Sequence, residues 1–265
     1  MKKRPLGQNF LIDEEVADEI VASAGISKDD CVVEIGPGKG VLTHRLAEQA
    51  GRLIAIEIDP KLFGPIKKEF ASQEHVEFIL ADALKFDFGS LPHPFKVVSN
   101  LPYYAATHIL KRLITYRAHI QDMTLMLQKE VVDRFSAEPD SKEYGSLTVY
   151  LQYHCDVERV LEVGKNAFLP APKVDSSVVK ITPLEKPRVQ TLDEKIFFKV
   201  VHAAFFHKRK MLKNNFKLWH KQFKKEKDHT FLADIDLSRR GETLSLQEFA
   251  DLADFLYHSN EEFEK

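Results

Sequence analysis

The sequence predicts an α/β chain in which a parallel β-sheet is covered by helices on both faces, followed by a smaller helical region. Three observations point there. Between residues 31 and 95, apolar runs of strand length alternate with polar helical segments, the pattern of strands joined by crossover helices. The first run, Val32-Val33-Glu34-Ile35, breaks into Gly36-Pro37-Gly38-Lys39-Gly40, which reads as a tight turn leading into a helix. Past Pro183-Leu184-Glu185-Lys186-Pro187 the alternation stops and the chain reads as helices. A domain boundary is therefore expected between residues 1–185 and residues 186–265.

At 265 residues the chain can hold one large core and a smaller one. Hydrophobic residues at 44% and charged residues at 29% exclude a disordered chain, and a formal net charge of -2 leaves global charge silent about nucleic acid. Cys31 and Cys155 are far apart and lack a C-x-x-C partner, so buried free thiols and a cytoplasmic location are expected. The basic Met1-Lys2-Lys3-Arg4 is followed by Pro5-Leu6-Gly7, not by a long apolar core, so no signal peptide is expected. No apolar run approaches membrane-spanning length.

Taken in order, Gly7-Gln8-Asn9-Phe10-Leu11 leads to Asp13, which is expected to cap a helix with Val16, Ile20 and Val21 on one face. The residues alone make Gln8 and Asn9 nothing sharper than a polar lead-in. In the loop after the first strand, the missing Cβ atoms of Gly36, Gly38 and Gly40 let a ligand lie against the main chain. A strand-to-helix turn with no ligand can use the same residues. A dinucleotide fingerprint needs its third glycine where Val41 stands, so the nicotinamide reading weakens. The next run ends in Glu57, about 20 residues after Gly36, where such folds place an acid on ribose hydroxyls. The run Val76–Leu80 ends in Asp82. Strand ends of an open α/β sheet converge on one crevice, so repeated acids there point to a nucleoside-like ligand.

A fourth strand, Phe95-Lys96-Val97-Val98-Ser99, delivers Asn100-Leu101-Pro102-Tyr103-Tyr104 to the same edge. Pro102 disfavours helix at Leu101, so the Leu101 carbonyl can be held beside the Asn100 amide oxygen. The two N–H donors of an exocyclic amino group match two such acceptors, and Tyr103 offers a ring on which a base can stack. The plainer alternative is a strand end with a proline turn and a core tyrosine. Residues 123–127 read as a fifth strand, residues 147–153 as a helix, and residues 157–163 with 178–181 as a hairpin. Between the hairpin arms Phe168 precedes a stiff loop with Pro170 and Pro172; it can close the far side of a base pocket or act as a packing anchor.

In the helical region, Leu212, Phe216, Trp219 and Phe223 recur at helical spacing, with Lys210, Lys213, Lys217, Lys221 and Lys224 opposite. That basic face suits phosphates, although a solvated face has the same appearance. Acids concentrate later, over residues 228–264. No metal-ligand spacing occurs, and the zinc deaminase signature for attack on an adenine amino group is absent.

Gly7-Gln8-Asn9-Phe10-Leu11, the Glu34 to Gly40 loop, Asn100-Leu101-Pro102-Tyr103, Gln128-Lys129-Glu130-Val131, Phe168 with Pro170-Ala171-Pro172-Lys173-Val174-Asp175-Ser176, and Arg240 with Leu244-Ser245 together resemble one family. It is the KsgA-type ribosomal RNA adenine N6,N6-dimethyltransferases, and the resemblance runs nearly end to end. It implies a Rossmann-like seven-stranded methyltransferase domain plus a small all-α C-terminal domain, with S-adenosyl-L-methionine as cofactor. Asn9, Leu11, Gly36, Glu57, Asp82 and Asn100 are then expected to line the cofactor site, Glu57 on the ribose and Asp82 at the adenine. Catalytic roles fall to Asn100, Leu101 and Tyr103, with Phe168 beside the target base. RNA contacts fall to Lys208, Arg209, Lys210, Lys213, Lys217, Lys221 and Lys224. The implied substrate is two adjacent adenosines near the 3′ end of 16S rRNA, in a small subunit or its precursor, and the implied enzyme is a cytoplasmic, bacterial-type monomer. Alternatives are a large-subunit methyltransferase of the antibiotic-resistance type and an assembly factor with secondary catalysis. One departure stands out: relatives usually carry paired arginines where this chain has His207-Lys208-Arg209-Lys210, and lysine lacks bidentate phosphate geometry.

Overall fold

The computed structural model describes residues 9–219 and 231–261. In chain order the elements are β1 (Phe10–Leu11), α1 (Glu14–Ala24), β2 (Cys31–Ile35), α2 (Val41–Gln49), β3 (Arg52–Glu57), α3 (Pro60–Glu69), β4 (Val76–Leu80), β5 (Phe95–Asn100), α4 (Ala106–Ile114), β6 (Ile120–Gln128), α5 (Lys129–Phe135), α6 (Ser146–His154), β7 (Cys155–Val163), β8 (Phe168–Leu169), β9 (Ser176–Pro183), α7 (Glu194–Ala204), α8 (Leu212–Trp219), β10 (Phe231–Leu232), β11 (Ile235–Asp236) and α9 (Leu246–Glu261). Contacts group them into two units, Met1–Val132 with Asp156–Pro183, and Asp133–Cys155 with Leu184–Lys265. No helix among the described residues is long and apolar enough to cross a membrane.

The first unit is built on a seven-stranded sheet of order β4-β3-β2-β5-β6-β9-β7. Neighbours from β4 to β6 are parallel, and β9 runs antiparallel to β6. After β4 the chain returns to the other side of β2, so strand order reverses between β2 and β5. A crevice opens at the carboxyl ends of strands on either side of such a reversal. The central strands are mostly apolar and buried, with a few buried polar residues such as Glu34, Lys96 and Asp122. From α1, Ala17, Ile20, Val21 and Ala24 pack on the sheet together with Leu42 and Leu46 of α2. Each buried leucine or isoleucine contributes roughly 1.5–3 kcal/mol. Asp13 caps α1 by accepting from the Val16 N–H at 3.2 Å, and Gly25 ends it in the left-handed region at φ 56°. Lys96, buried on β5, pairs with Asp122 at 3.0 Å and donates to the carbonyls of Ala24 and Gly25, which ties α1 to the sheet. Removing Lys96 would leave a buried, uncompensated Asp122, at a cost of about 3–5 kcal/mol.

The second unit has its own core, with Tyr144, Tyr153, Phe197, Phe216 and Phe249 at its centre. Residues 133–155, placed by sequence pattern with the sheet, belong to it because α6 turns Val149 and Tyr153 into this cluster. Among the described residues the extended structure of this unit is an isolated bridge between Met211 and Arg240 and a short ribbon the sequence did not suggest, β10 paired with β11. Ala233 and Asp234 link its strands at φ 49° and 61°, the left-handed pair that closes a two-residue hairpin.

Candidate functional site

The carboxyl ends of β2, β3 and β5 meet around one cavity. Its lining includes Asn9, Phe10, Leu11, Glu34, Gly36, Glu57, Asn100, Leu101, Tyr103 and Tyr104. The glycine loop that forms one wall is fixed by its own backbone: Gly36 N–H donates to Ile56 O at 2.8 Å, and Gly40 N–H to Pro37 O at 2.9 Å. Gly36 has φ 73°, and a Cβ built there meets nothing within 4 Å. The main chain at Gly36 therefore faces open space that a ligand can use. Gly38 is different. With φ 60°, its missing Cβ makes room for the Phe10 ring, 3.3 Å from where that atom would sit. Lys39 lies over the same ring, 4.9 Å from its centroid.

Glu57 is only 2% exposed, yet its carboxylate is well supplied with donors. Oε1 accepts from the N–H groups of Ile58 and Asp59 at 2.8 Å each, and Oε2 from Gly38 N–H at 3.3 Å. It thereby joins the β3 end to the glycine loop. Glu34 is equally buried but has an unpartnered Oε2. Its carboxyl is pushed up to about 8, chiefly by burial; the Thr43 hydroxyl opposes the shift and the nearby charge of Glu57 adds to it.

Across the cavity, Ser99 Oγ donates to Ile35 O at 2.5 Å and pins the end of β5 to that of β2. Asn100 and Leu101 follow, with Leu101 N–H on Met126 O at 3.2 Å and the Leu101 side chain buried. The Tyr103 hydroxyl hydrogen-bonds the buried Ser176 hydroxyl, so the ring is held at its far end. Burial raises the Tyr103 phenol above its ordinary value, with the Ser176 contact opposing. Tyr104 is 56% exposed at the rim; burial, then the charges of Asp82 and Glu57, push its phenol up.

Five of the six residues expected around the cofactor, Asn9, Leu11, Gly36, Glu57 and Asn100, line this cavity. Asp82 is near enough to act on Tyr104, while its Oδ1 accepts from Leu84 N–H at 2.9 Å. Phe168 does not stand where the base reading put it. Its strand β8 pairs with β1, opposite Leu11, and the ring is 3% exposed within the apolar core. Sequence reasoning passed over Phe10, Lys39 and Tyr104, which carried no periodic or spacing signal. It counted Glu34 among the acids at strand ends and in the family-like loop, without giving it a role of its own.

The basic segment is placed in two parts. Leu212 and Phe216 are buried in the second unit's core, and Lys213 and Lys217 lie half-exposed on the same helix, α8. Lys210 is not on that helix. Together with His207, Lys208 and Arg209 it forms an exposed turn, closed by Lys210 N–H on His207 O at 2.9 Å. Fully buried Asn215 shapes the turn: its Oδ1 accepts from His207 N–H at 3.1 Å, and its Nδ2 donates to Ala204 O at 2.7 Å and His207 O at 3.2 Å. Lys213 also has an acid near it, since Asp236 is held below its ordinary range by bonds from Ser238 and then by Arg239 and Lys213. Lys221, Phe223 and Lys224, with the side chain of Trp219, lie outside the described residues.

The family described as Ribosomal RNA adenine dimethylase matches residues 1–257. Among curated relatives, Ribosomal RNA small subunit methyltransferase A from Clostridium acetobutylicum is 46% identical over 256 residues, covering 95% of this chain and 92% of its own. The protein of the same name from Clostridium botulinum (strain Langeland) is 45% identical over 255 residues, covering 95% and 93%. Among solved structures, a dimethyladenosine transferase from Plasmodium falciparum superposes with a TM-score of 0.77 at 26% identity, covering 96% of this chain and 98% of its own. The 23S rRNA methyltransferase ErmE has the same fold, with a TM-score of 0.70 at 23% identity, covering 94% and 100%.

Proposed function

The chain belongs to the ribosomal RNA adenine dimethylase family, and from that premise we propose that its target is a pair of adjacent adenosines near the 3′ end of small-subunit ribosomal RNA. It is an S-adenosylmethionine-dependent ribosomal RNA adenine dimethyltransferase. Support for the small-subunit target comes from the 45–46% identity to relatives named for that subunit. The enzyme acts as a cytoplasmic monomer on 16S rRNA within a small subunit or its precursor. The first unit carries the methyl transfer, and the second, which includes residues 133–155, grips RNA.

The observation that carries the mechanism is that Asn100, Leu101 and Tyr103 line the same cavity as Gly36 and Glu57. Asn9, Leu11, Gly36, Glu57, Asp82 and Asn100 hold the cofactor. The open space at the Gly36 main chain and the donor-anchored Glu57 carboxylate suit a nucleoside whose ribose needs an acceptor. When bound, S-adenosylmethionine supplies an electrophilic methyl group on a sulfonium.

The adenine N6 lone pair is delocalised into the ring, which makes the free amine a poor nucleophile. The Asn100 amide oxygen and the Leu101 carbonyl accept its two N–H bonds and favour a more pyramidal nitrogen with a reactive lone pair. Tyr103 stacks on the extruded base, and its bond to Ser176 keeps the ring in place. Phe168 supports the site by packing behind Leu11. No strong base is needed, because the proton leaves after the methyl arrives. After one transfer an N–H remains to orient the nitrogen; after two, none does, and reaction stops. Lys208, Arg209, Lys210, Lys213 and Lys217, with Lys221 and Lys224, contact phosphates.

The test is methylation of small subunits prepared from cells lacking the gene. Mapping N6,N6-dimethyladenosine in the product should find two adjacent sites near the 3′ end of the small-subunit RNA. Modification confined to large-subunit RNA would refute the target assignment.

A further inference from the structure

One group in the cavity is left over by this mechanism. Glu34, next to last on β2, is 2% exposed, lines the cavity that Gly36 and Glu57 also line, and has one buried carboxyl oxygen with no hydrogen-bond partner. Such a carboxyl is expensive to ionise without a compensating charge. The titratable residues lining the same cavity are Lys39 of the glycine loop, Glu57 of β3, and Tyr103 and Tyr104 after β5. Among the remaining neighbours, α2 contributes the Thr43 hydroxyl and β5 ends in uncharged Ser99 and Asn100. His44 on α2 is paired with Glu69 at 3.0 Å.

We propose that Glu34 is the cavity's charge sensor: a neutral acid in the free protein, it releases its proton to solvent when the cationic cofactor binds, and so favours S-adenosylmethionine over its uncharged product. The proposal rests on the cofactor assignment made above. S-adenosylmethionine carries a sulfonium, an ammonium and a carboxylate, net one positive charge; S-adenosylhomocysteine lacks the sulfonium and is net neutral. A positive charge brought into a cavity this buried stabilises the ionised form of a carboxyl on its wall. On binding, the Glu34 O–H bond breaks and the proton passes to the buffer, while the carboxylate stays opposite the cofactor's charge. After methyl transfer the positive charge is gone, Glu34 takes a proton back, and product is held less tightly.

The burial-raised carboxyl of Glu34, at about 8, sets the direction of the pH effect. Below that value the free protein holds the proton that binding must expel, so affinity for S-adenosylmethionine rises with pH, by close to tenfold per unit if one proton leaves. The rise levels off as pH passes about 8.

Calorimetric titration in buffers of different ionisation enthalpy counts the protons. It is done between about pH 6 and 7, below the range in which the cofactor's own amino group titrates. The intact protein should release close to one proton with S-adenosylmethionine and far less with S-adenosylhomocysteine. Glu34→Gln should still bind both, release none, and lose the pH dependence. An unchanged proton count in Glu34→Gln, or none in the intact protein, overturns the proposal. Infrared difference spectra of the intact protein give an answer that needs no variant: a protonated-carboxyl band must vanish on adding S-adenosylmethionine, and its persistence also overturns the proposal. Absence of any binding heat with S-adenosylmethionine would instead overturn the cofactor assignment beneath it.

Discussion

At the carboxyl edge of the sheet, the groups proposed to bind and react are buried or half-buried and held through main-chain atoms: Glu57 by three backbone N–H groups, the glycine loop by Ile56, the β5 end by Ser99 on Ile35. In the turn between α7 and α8 the reverse holds. There the charged side chains of Lys208, Arg209 and Lys210 are exposed, the backbone of the turn is fixed through Asn215, and Lys208 Nζ donates to Lys142 O. On the proposed reading the first region works by conformation, so one misplaced atom disables it. On the same reading the second works by summed charge, so it should degrade gradually and respond to salt.

The largest expected difference is at Gly36. Gly36→Val puts a branched side chain into the open space and forces a β-branched residue to φ 73°, so cofactor affinity by calorimetry should fall by about 100-fold or more. Unchanged affinity in a folded variant would break the contrast. Reversing Lys208, Arg209 and Lys210 together to Glu should weaken RNA binding by roughly tenfold or more and reduce the salt slope by about 0.7–0.9 per lost contact. Cofactor affinity should not change, and a constant salt slope would make the turn a merely solvated surface. Asn215→Ala sharpens the comparison, since it leaves every charge in place but strands the His207 N–H. We expect about 1–3 kcal/mol lower stability in denaturant melts and an RNA affinity only about two- to fivefold weaker. The smallest effect belongs to Tyr103→Phe, which keeps the stacking ring and loses its tether to Ser176; single-turnover rates should drop about two- to fivefold, far less than with Tyr103→Ala.

The same contrast explains what could be read from the chain. The parallel strands and the glycine loop were legible because apolar runs, missing Cβ atoms and strand-end acids are local signals. They place Gly36, Glu57 and Asn100 at one edge of the sheet, around the cavity that the three residues line. What escaped depends on long-range packing. The burial of Phe168 follows from a two-residue pairing with β1, more than 150 residues earlier in the chain. Helical spacing was extended through Lys210 because a lysine pattern does not show where a helix begins, and the Asn215 clamp that ends the turn looks in sequence like any polar helical residue. Residues 133–155 read as sheet-associated because they sit between strands, while Val149 and Tyr153 belong to another core. The unpartnered oxygen of Glu34 is likewise a property of its surroundings, not of its place in the sequence.

The central claim is that the end of β5 carries the transfer, and single-turnover methylation by Asn100→Ala tests it most directly. Removing one positioned acceptor should lower both methylation steps by about 100-fold, by analogy with the loss of a single oxyanion-hole donor, while S-adenosylmethionine still binds. Mass spectrometry of digested RNA should then show little dimethyladenosine at times when the unaltered enzyme has finished. Near-normal dimethyladenosine formation by Asn100→Ala would contradict the mechanism.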